Sequence, residues 1–421
     1  MLTTIIWIYT LYIMVKLYIA TMQIGFIALE KKKDPVLMGK DRYIVAGNYA
    51  IAKERLGMAG MIVDLLLFAF WVTWGFAWLQ GLVGVEDTVI SAVLFLFGFF
   101  GLNFIIMLPF ELYEKFEIDQ AFGFNKMTTK MYIVDTLKSI LIFVLVGGAA
   151  LALLAWIISS FQSWWFWGFA LMFTIAVAAN VLMPFFMGLF NKFSPMEEGE
   201  LRSAIEAMMT KVGLQSEGIF VMDASKRDSR LNAFFGGLGK SKRVVLFDTL
   251  LEKLSDRELL AVLGHELGHF KHGDIWKNIG LMAVLLFTGF SLFGNLPDTL
   301  FIEMGTPPNA GIKIAMLLLL LPLLSFIFTP IMSYVSQHNE YAADVFGSQM
   351  GGKENLISAL LKLVTENKAF PKSHPLVIFF YYTHPPILER LKELGFDASK
   401  VDLDGELPGD GIFTFVDQDK E

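Results

Sequence analysis

Seven apolar runs leave this chain few ways to fold: Ile5–Ala28, Met58–Leu79, Val89–Phe110, Ile140–Ile158, Trp164–Phe190, Ile279–Leu296 and Ile314–Tyr334. Each approaches or exceeds the roughly 20 residues that a helix needs to cross a bilayer. In hydrocarbon every backbone N–H and C=O must find its partner inside the segment, so each run predicts a helix and the set predicts a multi-pass membrane protein. The composition agrees. Of the residues 55% are hydrophobic and 18% charged, against about 45–50% and about 25% in soluble globules. The first run contains Lys16, is long for a signal peptide and lacks a clear small-residue cleavage site, so it reads as a retained helix.

The cationic residues set an expected orientation. The loop after the first run carries Lys31, Lys32, Lys33, Lys40, Arg42, Lys53 and Arg55, while Gln80–Thr88 after the second carries none. Lys115, Lys126, Lys130 and Lys138 follow the third run, Ser159–Ser163 has no Lys or Arg, and only Lys313 lies between the sixth and seventh. Lys and Arg collect in short cytoplasmic loops. The amino terminus is therefore expected outside and the carboxyl terminus in the cytoplasm, in a bacterial inner membrane or the endoplasmic reticulum. The net charge of −7, with no dense basic tract, excludes a nucleic-acid partner. The absence of cysteine excludes disulfides, thiolate ligands and a cysteine nucleophile.

The chain then divides into helices 1–5 with their loops over 1–190, an extramembrane part over 191–278, helices 6 and 7 over 279–334, and a carboxyl-terminal part over 335–421. Within 191–278, Ser194-Pro195 predicts the start of a helix running to about Val212, and Gly218–Met222 and Arg243–Phe247 read as strands. Ser255-Asp256-Arg257-Glu258 is a capping box, which predicts a helix through Leu259, Leu260 and Leu263 to a stop near Gly273.

That helix carries His265-Glu266-Leu267-Gly268-His269, an H-E-x-x-H pattern. Four residues apart on a helix, the two imidazoles share one face and fit a zinc ion, with the carboxylate between them. Glu340-Tyr341-Ala342-Ala343-Asp344 supplies a third ligand, Glu340, and one turn later an acid, Asp344, placed to orient a ligand imidazole, most simply His265. Three protein ligands leave one position open for water. Glu266 is then the general base and later the acid. The orientation argument independently puts His265 and His269 just before the sixth span and Glu340 just after the seventh, at one face of the membrane.

Other candidates are weaker. His272 lies on nearly the same face as His265, but three ligands along one straight helix fit a tetrahedral ion poorly. The metzincin pattern fails at His272 and Ile275, and His338 and His374 read as surface residues. Gly239-Lys240-Ser241 resembles the end of a phosphate loop, but the first glycine of that pattern would fall at Phe234, so no nucleotide site is expected. Asp64 suits either a polar cavity or an interface, and Pro322 and Pro330 suggest kinks in the seventh span.

With these residues the chain resembles the integral-membrane zinc metallopeptidases represented by the type I CAAX prenyl protease. The resemblance extends to Pro109-Phe110, Phe122-Gly123-Phe124-Asn125-Lys126, Asn232-Ala233-Phe234-Phe235, Lys242–Leu250 and Thr383-His384-Pro385-Pro386 with Glu389-Arg390-Leu391. It implies a mainly α fold: seven transmembrane helices forming a barrel around a chamber, with an α+β zinc-metallopeptidase domain on the cytoplasmic side. It implies one Zn2+ per chain and an extended peptide, including C-terminally prenylated ones, lying as an added strand on the edge formed by Arg243–Phe247, with Val244, Val245 and Leu246 in contact. Asn232 matches a position that contacts substrate backbone, His384 one that stabilises the oxyanion, and Arg390 an arginine beside the zinc-ligand helix. Gln337 stands where the family usually has arginine. A broad quality-control protease of membrane proteins would share this chemistry. A seven-span transporter with a structural metal finds no internal repeat in its favour.

Overall fold

The computed structural model describes residues 1–84, 87–214, 217–236 and 242–398. Gly239-Lys240-Ser241 and the terminal Val416–Glu421 lie outside the described residues. Five long helices come first: α1 (Leu2–Glu30), α2 (Lys40–Val83), α3 (Val89–Asp119), α4 (Thr129–Ser160) and α5 (Trp164–Gly188). A small unit follows, made of β1 (Phe193–Pro195), α6 (Glu200–Lys211), β2 (Gly218–Met222), β3 (Ala233–Gly236), β4 (Arg243–Phe247) and α7 (Asp256–Lys271). Then come the membrane helices α8 (Asp274–Phe293) and α9 (Ala310–Gly351), and last α10 (Lys353–Glu366), α11 (Pro375–Tyr381) and α12 (Ile387–Glu393).

Among the described residues, seven helices are thus long and apolar enough to cross a membrane. Their outward faces display Trp7, Leu11, Ile90, Leu145 and Leu292, a surface that suits lipid. Several run well past their apolar cores. α2 starts at Lys40, eighteen residues before the apolar run at Met58, and α9 continues from Tyr334 to Gly351. Apolar runs mark only the part of a helix that lipid touches, so the polar extensions escape a reading based on hydropathy.

The bundle is packed solid at the end remote from α7, where Trp71, Phe76, Phe95, Leu96 and Phe99 meet Ile312, Ala315 and Met316 of α9. Further along α9 a cavity of about 390 Å³ opens between α1 and α9, lined by Tyr12, Lys16, Pro322, Phe326, Thr329 and Tyr381. α9 continues as a helix through both Pro322 and Pro330. Asp64 lies half-buried within α2 and interacts electrostatically with Lys16.

The sheet has the order β1-β2-β4-β3, with β2 and β4 parallel and both outer pairings antiparallel. Two of its strands are those expected at Gly218–Met222 and Arg243–Phe247. The helix expected from Ser194 is corrected. Phe193–Pro195 pairs with β2 as an outer strand, and the helix begins at Glu200 after an extended Gly199. Proline, which has no N–H to give a ladder, is at home on such an outer strand.

Candidate metal centre

α7 is a helix defined by its own sequence. Ser255 N donates to Glu258 Oε2 at 2.8 Å and Ser255 Oγ accepts from Glu258 N at 3.5 Å, which closes the capping box. Lys362 and Ser358 of α10 also donate to the Glu258 carboxylate, at 2.8 and 2.5 Å. Leu259, Leu263 and Leu267 are buried against Val244, Leu246 and Leu250. Gly273, with φ 69°, takes the left-handed turn that separates α7 from α8.

The other face of α7 is made of small residues, and so is the stretch of α9 it crosses. A Cβ placed on Gly268 would stand 2.9 Å from Ala343 Cα, one on Gly347 2.8 Å from His265 N, and one on Gly351 2.3 Å from Ala261 Cα. Small residues four apart let backbones touch. Close contact sinks Glu340 against the imidazoles. His265 Nε2 and His269 Nε2 are 3.3 Å apart, and the Glu340 oxygens lie 3.4 Å from the first and 3.3 Å from the second.

Each Nε2 is thus 3.3–3.4 Å from the other and from one of the two Glu340 oxygens, Oε2 for His265 and Oε1 for His269, close to the roughly 3.3 Å between ligand atoms of a tetrahedral divalent ion with bonds near 2.0–2.1 Å. Two imidazole nitrogens and a carboxylate form a suitable donor set. Glu340 Oε2 is buried and accepts no hydrogen bond among the described residues, with His265 Nε2 and the Arg390 guanidinium 3.4 and 3.3 Å away. The residues therefore fit a metal.

A second ring of groups fixes the ligands. Asp344 Oδ1 lies 2.8 Å from His265 Nδ1, and Asp274 Oδ2 lies 2.9 Å from His269 Nδ1. Each leaves the Nε2 atom facing the centre. Arg390 donates two hydrogen bonds to Asp344, at 2.8 and 2.7 Å, and lies 3.3 Å from Glu340 Oε2. Lys277 joins Asp274 to Asn339 at 2.6 and 2.9 Å. Burial disfavours charge on His265, but its contacts with the Asp344 and Glu340 carboxylates outweigh burial and push the imidazole up to about 9. Burial pushes the Glu266 carboxyl above its usual range, against the pull of both imidazoles. Partial desolvation lowers His384, whose side chain is largely exposed, against the attraction of Glu340.

The structure brings His265, His269, Glu340, Asp344, Arg390 and His384 together, with His384 Nε2 3.1 Å from Glu340 Oε1. Glu266 is half-buried between the two histidines in sequence. His272 is exposed at the end of α7 and outside the ligand group, and His338 is exposed. His374 is not a plain surface residue. Its Nδ1 accepts from Leu376 N at 3.2 Å and caps α11.

The expected substrate edge is corrected. β4 (Arg243–Phe247) is an interior strand, paired on one side with β2 and on the other with β3. Val244, Val245 and Leu246 are fully buried. With both sides of its ladder taken, β4 has no free backbone for a peptide. The outer strand on that side is β3 (Ala233–Gly236), which pairs only with β4 among the described residues and touches both α5 and α7. Asn232 is exposed at its start. β3 is too short for an alternation pattern to reveal.

Sequence reasoning also missed Asp274, Lys277 and Asn339, and the small-residue crossing. The weak signals were an acid directly after Gly273 and the Ala343, Gly347, Gly351 spacing. Gln337 makes no ion pair. Its Nε2 donates to the Ile378 and Tyr382 carbonyls at 3.2 and 2.9 Å.

Residues 195–396 match peptidase family M48, and residues 36–192 match the CAAX prenyl protease N-terminal region, described as five membrane helices. CAAX prenyl protease 1 of Saccharomyces cerevisiae is 32% identical over 408 residues, covering 88% of this chain and 90% of that protein. A Homo sapiens homologue of CAAX prenyl protease 1 is 33% identical over 336 residues, covering 68% and 70%. The crystal structure of S. mikatae Ste24p superposes with a TM-score of 0.84 at 30% identity, over 93% of this chain and 98% of that one.

Proposed function

Because the chain belongs to peptidase family M48, in the group of the CAAX prenyl protease 1 proteins, we propose that it is a zinc endopeptidase. It cuts near the carboxyl terminus of extended peptides, including prenylated CAAX-type ones. That it is a membrane metalloprotease with a seven-helix barrel follows from the family. Substrate, metal identity and residue roles are our reading. The observation that carries it is the meeting of His265, His269 and Glu340, each with a ligand atom within 4.8 Å of the others'.

His265, His269 and Glu340 hold the metal. Zinc, when bound, supplies a positive charge that polarises the scissile carbonyl and acidifies a nearby water. Glu266, its proton affinity increased by burial, takes a proton from the attacking water and gives it to the leaving amine. His384 donates from one ring nitrogen to the oxygen that becomes negative. The peptide lies along β3, and Asn232 meets its backbone. The metal centre faces the cytoplasm, with the amino terminus of the chain on the opposite side.

Glu266→Gln is expected to keep its metal by elemental analysis and to lose hydrolysis, and full activity in that variant would remove the mechanism. Rates on matched peptides with and without a prenyl group test the substrate class, and equal rates would favour the broader quality-control reading.

A further inference from the structure

We infer that Gln337 is a positioning residue for His384, setting where that imidazole stands along the metal-bearing helix. The inference rests on the role given to His384 above. The side chain of His384 is 63% exposed. Beyond its approach to Glu340, its hydrogen bond is local, between Thr383 Oγ1 and His384 Nδ1 at 3.0 Å. So exposed a ring takes its place from the segment that carries it.

That segment is α11 and the three residues after it. A helix of seven residues has little stability of its own, and its last four carbonyls have no partner within the helix. α9 supplies them. Gln337 Nε2 donates to Ile378 O and to Tyr382 O, and Ser333 Oγ donates to Phe380 O at 3.3 Å. Ser333, Gln337 and Glu340 follow one another at intervals of four and three, so the caps of α11 and the metal ligand share one face of one helix. The register of α11 on α9 thereby becomes the register of His384 on Glu340.

The start of α11 is tied to the membrane. Gln23, buried in α1, accepts from His374 N at 2.8 Å and donates to Ser373 Oγ at 3.1 Å. Ser373 Oγ in turn hydrogen-bonds the Tyr382 hydroxyl. With this end anchored, Gln337 is the contact that governs the end nearest His384. Its neutral amide has two N–H bonds and serves two carbonyls. Methionine has the same length and none.

Gln337→Met is expected to lower kcat about ten- to hundredfold, the scale of a small misplacement of a catalytic group, with KM and metal content close to wild type. Gln337→Arg, which again supplies donors, is expected to restore most of the rate. In a His384→Ala background the effect of Gln337→Met should vanish, because it acts through that ring. A full additive loss there would overturn the inference.

A second readout does not depend on activity. The chain has no cysteine, so Phe379→Cys, at an exposed site on α11, takes a single nitroxide label. The label should be restrained in the parent and mobile with Gln337→Met, and an unchanged spectrum would overturn the inference. If His384→Ala hydrolyses peptide at the wild-type rate, the role of His384 fails, and the label still decides whether Gln337 holds α11.

Discussion

α7 and α9 arrive at the metal centre by opposite routes. α7 is a bounded helix of 16 residues, opened by the Ser255 capping box and closed by Gly273. α9 is 42 residues long and is a membrane span that does not stop at the membrane. The histidines therefore owe their places to caps and to the apolar contacts beneath α7, whereas Glu340 and Asp344 are set by the height at which a span sits. The two halves of a site built this way can be disturbed separately.

The largest effect is expected on the α9 side. Arg390→Met removes the cation that serves both Asp344 and Glu340, all three being buried. Stranding buried carboxylates costs about 3–5 kcal/mol, to be read from thermal unfolding in detergent. A loss below about 1 kcal/mol would mean that continuity with the span is enough to hold α9.

Gly347→Ala tests the crossing itself, since the new Cβ would stand 2.8 to 3.0 Å from the backbone and Cβ of His265. Separating the helices by a few tenths of an ångström or more should weaken metal binding on the order of a hundredfold, as judged from the cost of similar misplacements. Equilibrium dialysis measures it, and unchanged affinity would show that close contact is not what unites the two halves.

Asp274→Asn works on the α7 side by weakening the partner of His269 Nδ1. Loss of such a partner typically costs about ten- to a hundredfold in metal affinity, readable by chelator competition. No change would mean that α7 orients its ligands unaided.

Glu258→Gln has the smallest expected effect, about 1.5 kcal/mol for the loss of charge-assisted hydrogen bonds. Burial works against the Glu258 carboxylate, but hydrogen bonds from Lys362, Ser358 and Ser255 outweigh it and hold it below the usual carboxylate range. A depressed folded value means that the stabilisation is complete above the unfolded pKa, about 4.3, and is lost as pH falls through the folded one. Melting temperatures of the parent should therefore drop on acidification by more than those of Glu258→Gln. Parallel acid limbs would show that the cap charge does not support α7.

Much of the site was legible from residues alone, for reasons that differ between the two helices. His265, Glu266 and His269 are spaced by the period of a single helix, and Ser255 with Glu258 marks where that helix starts. Glu340 could be joined to them because counting spans and cations put both at one face of the membrane. The continuation of α9 past Tyr334 was not legible, because polar residues beyond the apolar run resemble a loop until neighbours cover them. β3 is too short to be legible, and the resemblance that implied a peptide edge at Arg243–Phe247 could not be checked by strand composition, which says nothing about which strand lies outermost.

The sequence by itself determined the seven crossings, the bounds of α7 and the chemical identity of the ligands, all of which depend on hydropathy, caps and intervals along one segment. Tertiary structure decided that Gly268, Gly347 and Gly351 would lie against one another's helices, that Asp274 would serve His269, that β4 would be enclosed, and that Gln337 would cap α11. Those outcomes depend on which surfaces meet, and a local period along the chain carries no information about what stands opposite it.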